Sequence, residues 1–306
     1  MSTTGRFAPT PSGPLHFGSL VAALASYCQA RSQQGRWLLR IEDVDTPRVV
    51  RGSTDSILQD LEAFGFEWDG EVLYQSNQFE RYQYYLDKLF ADGRAYACEC
   101  SRRSLREYGV ESGILGQIYP GLCRDKQLAG DQLSIRLNTS RAGQIEFDDR
   151  VYAGQSMNLE VEVGDFVLKR VDGIFAYHLA VVVDDYLQQV DEIVRGADLL
   201  ENTALHLYLQ DCLGFPRPDY LHLPLVNNAD GVKLSKQTGA TALKPQQAVQ
   251  QLTAALRPLG QWQDEVKEFS TPAELLQYAV AHWDLDAIPA NSNGFENQVV
   301  NEEPGV

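Results

Sequence analysis

The 306-residue chain is poor in positive charge and has no long apolar run. It carries 26 lysines and arginines against 42 aspartates and glutamates, and a formal net charge of −16 argues against a broad basic surface for non-specific nucleic-acid binding. Apolar runs such as LAVVV at 179–183 are too short to cross a bilayer, so we expect no membrane partner. The opening MSTTGRFAP lacks a basic segment followed by an apolar one, and we therefore expect a cytoplasmic protein.

Cysteine is also scarce, with five in the chain, an odd number that argues against a disulfide framework in a reducing compartment. Cys28 and Cys212 fall within apolar helical patterns and are predicted to be buried thiols. Cys98, Cys100 and Cys123 lie between residues 95 and 171, where short strand-like runs replace the helical pattern. Thiolates of this kind suit Zn²⁺, which takes four ligands in structural sites, but no histidine lies near them in the sequence. Three reduced, unliganded thiols are the alternative.

The first 45 residues indicate a strand, a helix and a second strand. GRFAPT reads as a short buried strand that leaves into a proline-containing loop. From Gly18 to Gln34 apolar residues recur at helical spacing, and Gly35 follows as a stop signal. RWLLRIEDVD at 36–45 is the second strand. A β-α-β unit of this length predicts a parallel sheet.

The rest of the chain alternates between regular and irregular patterns. Thr46 and Pro47 have the form of a helix start, and FERYQYYLDKLFADG at 79–93 is an amphipathic helix. Between residues 95 and 171, short strand-like runs separated by glycine-containing turns indicate an insertion of mixed structure. Further helices and strands follow: helices at 175–188 and 199–214, strands at 190–196 and 220–226, and two helices near 245–258 and 272–283. Residues 290–306 lack an apolar period and are predicted to be disordered.

The stretch APTPSGPLHFGSL at 8–20 has the layout of a phosphate-binding loop. A strand ends, prolines stiffen the turn, and a helix is predicted to begin at Gly18 and Ser19, where free N–H groups and the helix dipole favour an anion. Gly13 and Gly18 allow close approach of the backbone, and His16 can donate to a phosphate oxygen. The same stretch is also compatible with an ordinary strand-to-helix turn.

The stretch KLSK at 233–236 forms a second candidate phosphate site. The ammonium groups of Lys233 and Lys236 can neutralise a polyphosphate, above all the charge that builds on a leaving pyrophosphate. Taken alone, a K-x-x-K stretch is as well explained by a solvated surface loop.

The two stretches together resemble the two signature loops of class I aminoacyl-tRNA synthetases. RFAPTPSGPLHFGSL, RIEDVDTPR, YHLAVVVDD, VRGADLLENTALH and LHLPLVNNADGVKLSKQTGA resemble, in this order, the catalytic half of glutamyl-tRNA synthetases over roughly residues 5–245. The chain departs from the general class pattern at Phe17, Ser19, Leu234 and Gln237. Leucine for methionine keeps the packing role, and Ser19 can still cap the helix.

The resemblance implies an α/β fold: a Rossmann-like, nucleotide-binding parallel sheet with helices on both faces, a mixed α+β insertion and a C-terminal helical appendage. The bounds we expect are 1–94 for the first half of the catalytic domain, 95–171 for an inserted, zinc-bearing acceptor-binding region, 172–240 for the second half, 241–288 for the helical subdomain and 289–306 for a disordered tail.

The family's site residues match positions of this chain one by one. His16, Gly18, Ser19, Lys233 and Lys236 match the catalytic positions, of which His16, Gly18 and Lys236 bind ATP. Arg6, Phe7, Ala8, Pro9, Thr10, Glu42, Tyr177 and Arg195 match the glutamate-binding positions. The arginines suit carboxylates, because the guanidinium fork pairs poorly with the neutral amide of glutamine, and Glu42 suits the substrate ammonium. Cys98, Cys100, Tyr119 and Cys123 match the ligands of one structural Zn²⁺ per chain.

The length points to one branch of the family. Glutamyl-tRNA synthetases have a further C-terminal half that reads the anticodon, whereas the folded pattern here ends near residue 288. Short paralogues of the family activate L-glutamate with ATP and Mg²⁺ without tRNA, and transfer it to queuosine in the anticodon stem-loop of tRNA(Asp). We expect this activity. The alternatives are a shortened enzyme that charges tRNA(Glu), a catalytically silent tRNA-binding paralogue, and glutamate transfer to an acceptor other than tRNA.

Overall fold

The computed structural model describes residues 3–225, 242–261 and 268–290. Lys233, Leu234, Lys236 and Gln237 lie outside the described residues, as does almost all of the predicted tail.

A parallel sheet forms the centre of the fold, as predicted. Strand β1 (Thr4–Phe7) pairs in parallel with β2 (Arg36–Ile41), and helix α1 (Phe17–Ser32) connects them. Strand β3 (Leu73–Tyr74) continues the sheet beyond β2, also in parallel. The predicted β-α-β unit is therefore present.

A second sheet with parallel strands comes from residues far along the chain and lies beside the first. Strands β11 (Glu192–Gly196) and β12 (Asp219–Leu223) pair in parallel. The N–H of Asp191 donates to the carbonyl of Thr4 at 3.1 Å, and the N–H of Thr4 donates to the Asp191 carboxylate at 2.7 Å, so β11 begins beside the start of β1. The carboxyl ends of the parallel strands thus meet at one edge, which is where open α/β sheets bind ligands.

Helices pack on both faces of the sheet. Along β2, Trp37 and Leu39 point into one apolar core, with α1, and Leu38 points into the other. This alternation follows from the two-residue period of a strand, and it explains why β2 is an almost continuous apolar run. The other helices are α2 (Ser53–Ala63), α3 (Phe79–Ala91), α4 (Arg102–Tyr108), α5 (Leu159–Glu162), α6 (Tyr177–Leu187), α7 (Asn202–Leu213), α8 (Ala248–Leu256) and α9 (Pro272–Ala281).

Residues 95–171 hold short strands, as the sequence predicts. Strands β4 (Ala95–Cys98), β7 (Ser134–Leu137) and β10 (Val167–Lys169) form an antiparallel sheet in the order β10-β7-β4, and β5 (Ser112–Gly113) pairs with β6 (Gly116–Gln117). Strands β8 (Gln144–Asp149) and β9 (Ala153–Asn158) form a hairpin that also pairs with β12, through Asp149 and Tyr220. The hairpin therefore extends the sheet of β11 and β12. The bounds of the expected domains stay a prediction.

Two local predictions need correction. Thr46 and Pro47 start only a 3₁₀ turn, Thr46–Arg48, because Val49 has an extended backbone that ends it. The following helix begins at Ser53, after Gly52, whose left-handed φ of 80° favours glycine. Cys28 is fully buried as predicted, whereas Cys212 is only partly buried. Within the described ranges, no helix combines the length and the apolar character needed to span a membrane.

Candidate active site

The phosphate-loop candidate ends in a helix that starts one residue earlier than predicted. His16 is the N-cap of α1, and its Nδ1 accepts a hydrogen bond from the N–H of Ser19 at 3.3 Å. An accepting Nδ1 carries no proton, so the neutral ring carries its proton on Nε2 and can donate from there. Gly13 has a φ of 139°, which favours glycine, and Gly18 lies in the first turn of α1.

The chain returns to this loop after the KLSK stretch. Ala242 forms an antiparallel bridge with His16, and the N–H of Leu243 donates to the carbonyl of Leu15 at 3.1 Å. Lys236 precedes Ala242 by six positions in the sequence. The structure thus describes the anchor point that follows the second loop, but not the lysines themselves.

Arg6 belongs to a buried ion-pair network beneath the carboxyl end of β1. Its Nε donates to Oδ1 of Asp185 at 3.1 Å, and its Nη1 donates to the carbonyl of Val194 at 3.3 Å. Arg40 donates from Nη1 to the same Oδ1 at 2.8 Å. Burial opposes the charge of Asp185, but Arg40 and Arg6 outweigh it and hold the pKa of this carboxyl below its usual value.

Glu42 follows directly after β2, at the edge where the strands end. Its carboxylate lies 3.4 Å from Nη2 of Arg40, and its N–H donates to the carbonyl of Pro9 at 3.0 Å, which ties it to the phosphate-loop candidate. Burial raises the pKa of Glu42, and the nearby Arg40 and Arg6 only partly offset this effect. A cation that entered beside Glu42 would lower this pKa again.

Arg195, on β11, is held by a second buried network. Its Nε donates to Nε2 of His222 at 3.0 Å and its Nη1 donates to Nδ1 of His206 at 3.1 Å. Its Nη2 donates to Oγ1 of Thr203 at 2.8 Å and to the carbonyl of Leu199 at 3.2 Å. All four acceptors are uncharged.

These contacts fix the tautomers of three histidines, because an arginine only donates. His222 accepts at Nε2, so its Nδ1–H donates to Oδ2 of Asp149 at 2.6 Å. His206 accepts at Nδ1, so its Nε2–H donates to Nδ1 of His178 at 3.1 Å. Burial, with Arg195 adding repulsion, lowers the pKa of His178 to about 4 and that of His206 well below its usual value. Burial also lowers the pKa of His222, although Asp149 opposes the shift. All three rings are therefore neutral at neutral pH.

The two arginines differ in the donors they leave for a ligand. An arginine has five N–H groups. The contacts within the described residues use four of them in Arg195 and leave one for a ligand. The contacts of Arg6 use two and leave three, one on Nη1 and two on Nη2. The family resemblance implies that both arginines bind a carboxylate through two parallel hydrogen bonds. The structure supports a fork for Arg6 and a single charge-assisted hydrogen bond for Arg195.

Tyr177 completes the group. It is the first residue of α6 and is partly buried, and its ring centre lies 5.6 Å from that of His206. His206 is also the acceptor for Nη1 of Arg195, which links Tyr177 to that network. Burial and, secondly, the charge of Glu42 raise the pKa of Tyr177 to about 12, while the charges of Arg195 and Arg6 oppose this shift. The structure therefore brings Arg6, Glu42, Tyr177 and Arg195 together.

The remaining residues of the predicted glutamate set have different positions. The ring of Phe7 is 7% exposed and stacks at 6.3 Å on Trp37 in the core, so only its backbone faces the site edge. Ala8 and Thr10 are partly buried in the loop that follows β1, and Pro9 contributes its carbonyl to Glu42.

Sequence reasoning missed the residues that hold the arginines. Asp185 lies in the quoted stretch YHLAVVVDD, and His206 and His222 lie in other quoted stretches, yet none was singled out. A signal was present: a charged pair follows directly after the apolar run LAVVV, and the run and the pair are all buried in α6. A buried acid needs a partner, and the partners come from distant strands.

The three predicted cysteine ligands do converge in the 95–171 region. The Sγ atoms of Cys98, Cys100 and Cys123 all lie within 4.8 Å of one another, with Cys100 and Cys123 at 3.6 Å. The hydroxyl of Tyr119 is 3.2 Å from Cys98 Sγ and 3.5 Å from Cys100 Sγ. A tetrahedral zinc with bonds of about 2.3 Å to sulfur needs sulfurs about 3.8 Å apart, so the four side chains fit this metal.

Arg136, on β7, contacts the same cluster. Its Nε donates to Sγ of Cys98 at 3.3 Å, and its guanidinium lies over the ring of Tyr119 at 3.9 Å. Burial raises the pKa of Cys98, but hydrogen bonds from Tyr119, from backbone and from Arg136 outweigh it and give a pKa below the usual thiol value. The environment thus favours the thiolate form of Cys98, the form that binds metal, whereas burial raises the pKa of the Cys100 thiol to about 11.

The chain is similar to known proteins over almost its whole length. A family model described as tRNA synthetases class I (E and Q), catalytic domain, matches residues 2–287. A glutamyl-Q tRNA(Asp) synthetase of Dechloromonas aromatica is 50% identical over 289 residues, covering 94% of this chain and 96% of the relative. One of Pseudomonas putida is 51% identical over 287 residues, covering 94% and 93%.

Among solved structures, a glutamate tRNA ligase of Elizabethkingia meningosepticum superimposes with a TM-score of 0.78 at 24% identity. The match covers 95% of this chain and 66% of that one. It confirms the α/β fold with its parallel sheet that the sequence resemblance implies.

Proposed function

Because the chain belongs to the class I tRNA synthetases of the E and Q type, we propose that it activates L-glutamate with ATP, without tRNA, and transfers the glutamate to queuosine in the anticodon stem-loop of tRNA(Asp). The observation that carries this proposal is the convergence of Arg6, Glu42, Tyr177 and Arg195, with Glu42 hydrogen-bonded through its N–H to Pro9 in the loop that leads to α1. The relatives that share about half of the residues bear the name of this activity.

The amino acid binds first by charge. Arg6 offers a fork to one carboxylate, Arg195 adds a single N–H, and Glu42 faces the ammonium group. The hydroxyl of Tyr177, kept neutral by its raised pKa, adds an uncharged hydrogen bond. Asp185 holds Arg6 in place, and His206 and His222 hold Arg195 in place, so binding of the amino acid needs little rearrangement of these side chains.

Activation is a displacement at phosphorus. A carboxylate oxygen of glutamate attacks the α-phosphorus of ATP, a new P–O bond forms, and the bond to the leaving pyrophosphate breaks. Nε2–H of His16 and the N-terminus of α1 stabilise the phosphate charge, and Lys233 and Lys236 act on the pyrophosphate. Mg²⁺ neutralises phosphate charge when it is bound with ATP. No covalent enzyme intermediate is needed.

Transfer follows from the mixed anhydride. A hydroxyl of the queuosine base attacks the activated carbonyl carbon, an ester forms, AMP leaves, and the hydroxyl proton passes to solvent. The protein contributes orientation, since both reactants must meet at the edge where β1, β2 and β11 end.

The cysteine cluster has a structural role in this proposal. Cys98, Cys100, Cys123 and Tyr119 would hold one Zn²⁺, and the apolar cluster of this region consists largely of these same residues with Leu105. A core this small gives little stability, so four bonds to a metal would brace the region. No chemical step passes through it.

The function is tested with labelled glutamate, ATP and total tRNA from queuosine-containing and queuosine-free cells. We expect glutamate-dependent pyrophosphate exchange without tRNA, and base-labile label on tRNA(Asp) from queuosine-containing cells alone. Label on tRNA(Glu), with exchange that requires it, would indicate a shortened charging enzyme. Absence of exchange in the wild type, equal to that of a Lys236→Ala variant, would indicate a silent paralogue. Exchange without label on any tRNA would indicate another acceptor.

A further inference from the structure

Arg195 differs from the other buried arginines of the site in its electrical surroundings. Arg195 is only 6% exposed, yet among the residues that the structure describes no carboxylate oxygen lies within 4.0 Å of its guanidinium nitrogens. Two imidazole nitrogens, a hydroxyl and a carbonyl are its acceptors. A buried cation is ordinarily paired with an anion, because desolvation of an unpaired charge is costly.

Arg6 and Arg40 show the ordinary arrangement. Both donate to Oδ1 of Asp185, and Glu42 faces Arg40 at 3.4 Å, so two cations are matched by two anions. A ligand carboxylate that approaches Arg6 therefore meets a guanidinium that already forms an ion pair with Asp185.

The acid nearest to Arg195 in the hydrogen-bond network is one imidazole away and is itself satisfied. Oδ1 of Asp149 accepts from the N–H groups of Val151 and Tyr152, each at 3.0 Å. Its Oδ2 accepts from Nδ1–H and the backbone N–H of His222, at 2.6 and 3.1 Å. Asp149 thus fixes the tautomer of His222 without touching Arg195.

We propose that His206 and His222 are specificity-determining positioning residues: as neutral acceptors they hold Arg195 in place and leave its positive charge for a carboxylate of the substrate. This inference rests on the proposed function. The lowered pKa values of both rings keep them uncharged, so they neither compensate the guanidinium nor compete with it. A bound carboxylate is then the first anion that Arg195 contacts, and the neutral amide of glutamine gains much less there.

His206 offers a matched pair of variants that separates charge from shape. In His206→Asn and His206→Asp, the Oδ1 atom replaces Nδ1 as the acceptor for Arg195, and both variants lose the hydrogen bond to His178 equally. They differ by one negative charge placed against the guanidinium. The matched pair therefore measures whether Arg195 must stay uncompensated.

The measurements are glutamate-dependent pyrophosphate exchange and calorimetric titration of L-glutamate, with thermal melting as the check on folding. We expect His206→Asp to raise the KM and Kd for glutamate at least about tenfold over His206→Asn, while the KM for ATP stays within about twofold. We expect His206→Asn to stay within a few-fold of the wild type.

Equal glutamate affinity in the two folded variants would overturn this inference and leave the proposed function standing. A wild type that neither exchanges pyrophosphate nor binds glutamate would overturn the proposed function and this inference with it. If His206→Asp melts too low to assay, Thr203→Asp against Thr203→Asn repeats the comparison at Nη2 of the same guanidinium, with the same expected and refuting results.

Discussion

Asp184 and Asp185 are neighbours in α6, and the structure predicts different losses of stability for their replacement by asparagine. Asp185 is 3% exposed, and its Oδ1 accepts from Arg6 and from Arg40, itself 0% exposed. Removing the charge of one partner of a buried pair costs about 3–5 kcal/mol. Because Asp185→Asn keeps an oxygen acceptor and Glu42 still faces Arg40, we expect the low end, about 3 kcal/mol at neutral pH.

Asp184 is the matched control. It is 0% exposed and accepts from Tyr82 at 2.7 Å and from Gln75 at 2.9 Å, both uncharged donors. Burial raises its pKa, although Arg40 opposes this. Asparagine can accept the same two hydrogen bonds, so Asp184→Asn should cost less than about 1.5 kcal/mol at neutral pH.

The pH dependence of the two variants should also differ in sign. The folded-state pKa of Asp185 is lowered from 3.8, so the stability it contributes is fully present above that value and is lost as the pH falls through the lower folded pKa. The folded-state pKa of Asp184 is raised, so its contribution is present at low pH and is lost as the pH rises. The cost of Asp185→Asn should therefore shrink at acid pH, and the cost of Asp184→Asn should grow.

Urea unfolding followed by tryptophan fluorescence measures both effects, since Trp37 is fully buried in the core. With a slope of about 3 kcal/mol per molar urea, a loss of 3 kcal/mol moves the midpoint by about 1 M. Equal midpoints for the two variants at pH 7, or a cost of Asp185→Asn below about 1 kcal/mol, would refute the assignment of Asp185 as the anion shared by two arginines.

Three further predictions concern the site and the cysteine cluster. Glu42→Gln should raise the KM for glutamate by about tenfold or more and leave the KM for ATP unchanged, because a charge-assisted contact to the substrate ammonium is lost. In the wild type, the KM for glutamate should rise as the pH falls. Because the pKa of Glu42 is raised, this rise should begin above the ordinary carboxyl range. A pH-independent KM in pyrophosphate exchange would contradict this. Cys123→Ser should lower bound zinc, measured by colorimetric release, whereas Cys212→Ser should retain it; equal metal content in both would contradict the ligand set. Arg136→Lys should weaken zinc binding about 10- to 100-fold in a chelator competition, because Nε no longer donates to Cys98; unchanged affinity would show that this contact does not tune the site.

The main sheet could be predicted because its signals are local. Apolar spacing between Gly18 and Gln34, the stop at Gly35 and the apolar run of β2 each depend on neighbours in sequence. The false helix start at Thr46 has the same origin: proline favours a first turn, but the extended backbone of Val49 ends the turn before a helix forms.

The site could be predicted only where the family match supplied it. Arg6 and Arg195 were identified, but their acceptors were not, because hydrogen bonds between β11, α7 and β12 follow from packing over long sequence distances. The consequence is a changed role for Arg195, from a fork to a single donor. The convergence of Cys98, Cys100 and Cys123 agrees with the ligand pattern that the family resemblance implies, although α4 and the β5–β6 pair separate Cys100 from Cys123 in the chain.

The position of Asp149 in the chain limits which segments of this enzyme can be exchanged between relatives. Asp149 ends β8, inside the region that also carries the cysteine cluster, yet through His222 it fixes the acceptor of Arg195. The proposed amino-acid pocket and the 95–171 region therefore share a hydrogen bond, and we do not expect them to behave as independent modules. A chimera that exchanges the inserted region between relatives must keep the end of the β8–β9 hairpin with the catalytic sheet, or it exchanges part of the amino-acid pocket as well.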